Sequence, residues 1–225
     1  MDNESHRKAW NKNETVFRDL LMSGSEHAGA IRLFHSQHAA LHSARMAESE
    51  LWSFEDWVLD DLSEAQFRRS PPGEPHSVAW LVWHLARIED VAMNVLVAGG
   101  TQVFVQDDWL TQLKIIFQDT GNAMPSEDVA ALSASIDLEA LRRYRTSVGR
   151  RTRQIVQDLR PEDLKRKVDP VRLQRVLDEG AVVPAATGLI EYWGNRDIAG
   201  LLLMPPTRHN FVHLNEALRI KKLVS

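Results

Sequence analysis

Cysteine is absent from the 225 residues, and with it go disulfides, thiolate metal ligands, iron–sulfur clusters and a cysteine nucleophile. Any metal must therefore be held by histidine and carboxylate. An excess of charge of one sign is missing too: 27 basic against 31 acidic side chains leave a formal charge of -4, with no long block of Lys or Arg. Neutralising a phosphate backbone takes clustered cations, so nucleic acid is not an expected partner. A membrane span takes about 20 nearly uncharged residues, whereas the most apolar stretch, 77–98, is interrupted by His84, Arg87, Glu89 and Asp90. No membrane association is expected. The first twelve residues are polar and lack the apolar centre of a secretory signal, so the expectation is a soluble, cytoplasmic protein. Of the familiar catalytic signatures, H-E-x-x-H, G-x-S-x-G, a Walker loop and G-x-G-x-x-G are all missing.

Alternating β-type patterning is also scarce, and what is there is helical period. The expected fold is all-α. Residues 4–22 carry Trp10, Val16, Phe17, Leu20 and Leu21 on a polar background and stop at Ser23-Gly24-Ser25, which reads as an amino-terminal helical arm, 1–25, rather than a core element. The remainder, 26–225, reads as one domain. Over 26–62 apolar residues recur at three and four, as in Leu51, Phe54, Val58 and Leu62, in one long helix or two broken near Ser49, a candidate N-cap. Ser70-Pro71-Pro72-Gly73-Glu74-Pro75 forbids helix. The next helix should start at Ser77 and end at Gly99-Gly100, and because its first half is apolar all round it should be central. Around 108–118 a short helix is expected, 137–160 predicts a long helix with Arg on its exposed face, and a further short one follows Pro170. Residues 182–203 are too irregular to assign. Pro205-Pro206-Thr207 should break the chain and start a last helix to about Leu223, capped by Thr207.

Six of the nine histidines form a pattern; His6, His27 and His76 read as scattered polar residues. His209 and His213 are four apart, so both imidazoles lie on one helix face. His84 lies on the stripe Trp80/Leu81, His84, Ile88, Val91, the interior spacing of the most apolar helix. A buried imidazole must have both ring nitrogens satisfied, by a metal ion or by a carbonyl or water. Three nitrogens from two facing helices match the way metal sites are built in bundle cores, and three protein ligands leave a position open, as in catalytic zinc sites. His35, His38 and His42 share another face: a second cluster, a contribution to the same pocket, or a solvated stripe, with the solvated or supporting role the plainer reading. Glu216, one turn after His213, and Glu89, just past His84, are candidates to orient ligands or act as a base, alongside His38 and His42. Trp80, Trp83 and Trp193 read as packing.

The stretch Ser77-Val78-Ala79-Trp80-Leu81-Val82-Trp83-His84-Leu85-Ala86-Arg87-Ile88-Glu89, with Arg208-His209-Asn210-Phe211-Val212-His213 and the segment from Trp57 to Phe67, resembles the DinB/YfiT-like superfamily over roughly residues 33–223. The resemblance implies a four-helix bundle of up-down-down-up connectivity. It also implies a divalent metal, zinc or nickel, on His84, His209 and His213, and kinship with metal-dependent hydrolases, thiol-dependent S-transferases and maleylpyruvate isomerase. The sequence departs from that pattern in a long connection, 163–206, between the third and fourth helices. It departs too in the amino-terminal arm and in His213-Leu214-Asn215-Glu216 where the family has His-Arg-Gly-Gln.

Two functional expectations follow. In one, the ion activates water or a low-molecular-weight thiol co-substrate toward a small-molecule substrate. In the other, the chain is a non-catalytic helical bundle that binds a small molecule or forms a homodimer, and its histidines are structural.

Overall fold

The computed structural model describes residues 1–24, 26–48 and 51–224, and among them it is helix and loop with a single isolated bridge, Lys167 to Asp197. The amino-terminal helix α1 (Asn3–Ser23) stops at Gly24, whose φ of 65° places it in the left-handed region that closes helices. Trp10, Phe17 and Leu21 are nonetheless buried, so this segment contributes one face of the core. It does not stand apart as an arm expected to lie outside the core would.

In place of the one long helix, or two broken near Ser49, expected over 26–62 there are three pieces, α2 (His27–Ala39), α3 (Ala44–Ala47) and α4 (Phe54–Leu59). Ser53, whose hydroxyl accepts from the Asp56 amide, caps the last of them; the candidate cap Ser49 lies outside the described residues. Leu51, placed on the apolar stripe by its spacing, is 68% exposed because no helix carries it inward. A short α5 (Glu64–Arg68) with a complete capping box from Ser63 and Gln66 leads to the proline turn.

Helix α6 (Val78–Asp90) starts where its cap residue says, with the Ser77 hydroxyl accepting from the Trp80 amide, and every one of its residues is buried. It continues as a π-helical segment, Val91–Val97, and ends before Gly99, φ 70°. It packs against α10 and the last helix, so the central position expected from its apolar circumference is the one it occupies. Two small helices, α7 (Val103–Gln106) and α8 (Trp109–Gln112), replace the one expected around 108–118, and α9 (Ser126–Ser135) was not anticipated.

Helix α10 (Leu138–Gln157), capped by Asp137, exposes Arg143, Arg150 and Arg151 as expected but buries Arg145. Helix α11 (Pro170–Asp178) begins at Pro170 behind the Asp169 cap, and the unassigned 182–203 stretch holds α12 (Thr187–Gly194) and α13 (Ile198–Leu202).

The break expected around Pro205-Pro206 falls just before them, at Leu203, between α13 and the next helical segment. A π-helical segment, Met204–His209, carries both prolines and runs directly into α14 (Asn210–Val224). Both prolines lie in the opening turn of this segment, where amides have no partner within the helix, so a residue lacking an amide is tolerated there. Thr207 is therefore no N-cap; its hydroxyl donates to the Leu202 carbonyl at 2.8 Å. No helix is long and apolar enough to cross a membrane among the described residues.

Candidate metal centre

The central helix and the last helix meet at three imidazoles. Ring centroids of His84 and His209 are 5.0 Å apart, His84 and His213 5.2 Å, and His209 and His213 4.5 Å. One nitrogen from each ring lies within 4.8 Å of the others. The paired residues straddle the junction between the π-helical segment and α14: His209 ends the first and His213 lies in the opening turn of the second.

The partners of these rings set their tautomers. His84 Nδ1 lies 2.5 Å from the Thr120 carbonyl oxygen, and His213 Nδ1 lies 2.8 Å from Glu216 Oε2. A carbonyl or a carboxylate can only accept, so each Nδ1 carries a proton and Nε2 is the atom left to face a metal. His209 differs: its Nδ1 is sealed from solvent and has no hydrogen-bond partner. Burial, then the nearby His213, pushes the His84 ring down to about 3. Burial, then His84 and His213, holds His209 well below the ordinary imidazole range. Neutral rings are the form that binds a metal.

Outside the rings lies a supporting layer. Glu216 accepts from His213 with one oxygen and from His76 Nδ1 with the other, at 3.0 Å. Burial works to raise this carboxyl, but the donors His213 and His76 outweigh it and take it down to about 2. His76 stacks on Trp80 at 3.8 Å between centroids, and Trp80 stacks on His84 at 4.7 Å, so Trp80 does more than fill space. His76, read as scattered, thus belongs to the centre; the spacing His76, Trp80, His84 is the signal that points to it. Thr120 could not have been found that way, because it acts through its backbone. Its loop is shaped by Gly121, whose φ is 81° and where a Cβ would fall 2.7 Å from the Trp83 ring.

Glu89 lies elsewhere. Its carboxylate accepts from His38 Nε2 at 2.8 Å and His42 Nε2 at 3.0 Å. His38 and His42 are fully buried, which overturns the solvated reading for both. His35 keeps to the surface side, partly exposed, with Nε2 3.2 Å from Gln157 Oε1.

A family model of the DinB superfamily matches residues 50–185, more than half of the chain. The chain belongs to the DinB superfamily. The match spans His84 and Glu89 and stops short of His209 and His213. Among curated proteins none matches. The residues of this DinB-superfamily chain fit a divalent ion by their own chemistry: two Nε2 atoms are aimed by fixed Nδ1 protons, and the third ring has a buried nitrogen without a partner.

Proposed function

We propose that the chain is a metal-dependent enzyme in which His84, His209 and His213 hold one divalent ion, zinc or nickel, and that it acts on a small molecule by way of water or a low-molecular-weight thiol. The observation that carries this reading is the convergence of three imidazoles with two of their outer nitrogens already tied down. An ion bound there would supply Lewis acidity, lowering the pKa of water or a thiol so that a nucleophile forms near neutral pH. With no cysteine in the sequence, a reacting thiol has to arrive as co-substrate.

The chain's own residues do the positioning. The Thr120 carbonyl fixes the His84 ring, Glu216 fixes His213, and His76 clamps Glu216 from behind. Both Glu216 oxygens are occupied, which suits orienting a ligand better than removing a proton. The reading extends to hydrolase or S-transferase chemistry, to an up-down-down-up order of the four bundle helices with 1–25 as an addition to domain 26–225, and to action in the cytoplasm.

Elemental analysis of protein purified without chelators tests it, together with a screen of thiols and esters as co-substrates. The expected result is metal that His213→Ala loses and turnover that needs the metal. A triple His84→Ala, His209→Ala, His213→Ala variant that keeps full metal content would reject the assignment. One observation favours the non-catalytic alternative, a small-molecule binder or homodimer: among the described residues the carboxylate nearest the rings, Glu216, is fully engaged. Ligand-induced tryptophan fluorescence without turnover supports that alternative, and metal-dependent consumption of a thiol conjugate or ester excludes it.

A further inference from the structure

Beside the three-histidine centre, α2 and the turn that ends it deliver His38 and His42 to Glu89 of α6, and the first residue of α14, Asn210, completes the group. The two rings lie 4.3 Å apart between centroids. Glu89 Oε1 accepts from His38, and Oε2 accepts from His42 and, at 2.8 Å, from the Asn210 amide. His38, His42, Glu89 and Asn210 are each 0% exposed.

As a network of hydrogen bonds alone this group is incompletely satisfied. Glu89 has no Arg or Lys among its described partners, and the nearby Arg145 is committed to Glu55 and to the Leu41 carbonyl. A buried carboxylate without a full countercharge is expensive. The Nδ1 atoms of both histidines and Oδ1 of Asn210 are buried with no partner, an unusual concentration for one spot. Packing also holds the group closed. A Cβ at Gly149 of α10 would come within 2.8 Å of His42 Nδ1, so α10 approaches this ring at a distance only glycine permits.

We propose that His38, His42 and Glu89 form a second divalent-cation site, distinct from the three-histidine centre, with Asn210 as a neighbouring oxygen donor. One ligand atom from each of the three residues lies within 4.8 Å of the others. The separations of 2.8 and 3.0 Å from carboxylate oxygen to imidazole nitrogen need widen only slightly for bonds of about 2.0–2.2 Å to one ion. Binding at both Nε2 atoms shifts each ring's proton to its unpartnered Nδ1 and sets a divalent charge against Glu89. Two imidazoles and a carboxylate are a donor set for Zn(II) or Fe(II) and unsuited to Mg(II) or Ca(II).

Full-length protein made in zinc-supplemented medium and purified without chelators tests this by metal counting, with circular dichroism to verify folding. The wild type is expected to hold two zinc ions per chain, Glu89→Gln one, His38→Gln one and His213→Ala one. A wild type with a single ion that Glu89→Gln loses and His213→Ala keeps upholds this site and overturns the three-histidine reading. A single ion that His213→Ala loses overturns this site and leaves the other intact. Two ions retained in both folded Glu89→Gln and His38→Gln also overturn it, as does a metal-free wild type. Should the variants not fold, X-ray absorption on the wild type decides: a zinc signal with imidazole neighbours and one carboxylate in half of the ions supports the site, and imidazole with water alone overturns it.

Discussion

At the residue scale the most informative group is Glu216, because it acts on a candidate ligand without being one. Its two oxygens take protons from His213 and His76, and carboxylates in that relation to a ligating imidazole fix its tautomer and raise its basicity. Glu216→Gln keeps the shape and removes the charge. The expected outcome is a full complement of metal at saturating zinc with affinity lowered about 10–100-fold, read by competition against a chromophoric chelator; unchanged affinity would show that Glu216 does not orient His213. The readability of these residues from sequence was uneven for a physical reason. His84 announced itself because an imidazole on an apolar stripe is chemically conspicuous. Thr120 did not, because it works through a backbone carbonyl that every residue possesses. Glu89 was noticed beside His84 in sequence, but its hydrogen bonds go to His38, His42 and Asn210, contacts that no local spacing announces.

At the scale of elements, the Ser77 cap and the proline turns were firm signals, whereas the Thr207 cap and helix continuity were weak ones. Ser77, Asp137 and Asp169 start their helices as side-chain caps should. Pro205 and Pro206 stand in the opening turn of the last helical stretch, where their missing amides cost nothing, but that stretch starts at Met204, so Thr207 lies inside it and is not its cap. The first helix offers a test of a different kind. Glu14 on α1 is partly buried, its Oε2 has no partner, and burial pushes its carboxyl up to about 7, against the opposing pull of Gln37 and Arg208. A folded-state pKa above the unfolded one means the folded protein binds more protons between roughly pH 4.5 and 7. This group therefore erodes stability as pH rises through that window. Glu14→Gln is expected to melt higher than the wild type at pH 8, with the gap closing as the pH falls below 5. Parallel melting curves across that range would show that α1 does not bury this carboxyl.

At the scale of the whole molecule, long-range polar links tie the helices together. Arg145 of α10 pairs with Glu55 of α4 and donates to the Leu41 carbonyl at 3.0 Å, all buried. Removing one member of such a pair strands a charge and costs about 3–5 kcal/mol, whereas replacing both by apolar groups of similar size is often neutral. Arg145→Met is expected to lower unfolding stability by that amount in urea, and Glu55→Leu added to it to recover most of the loss. A single variant of unchanged stability would mean that the pair does not bridge these helices.

What the sequence by itself determined is local chemistry: the all-helical class, the Ser77 cap, the burial of the helix it starts, the absence of thiol ligands, and a face carrying His209 and His213. Periodicity and composition act within a few turns of chain, so they are readable without coordinates. Only the tertiary structure decided which faces meet. Glu89 accepts from His38 and His42 across 51 and 47 residues, and Thr120 holds His84 across 36. Such encounters depend on how apolar faces pack against one another, a choice made by the whole core at once rather than by any segment of it.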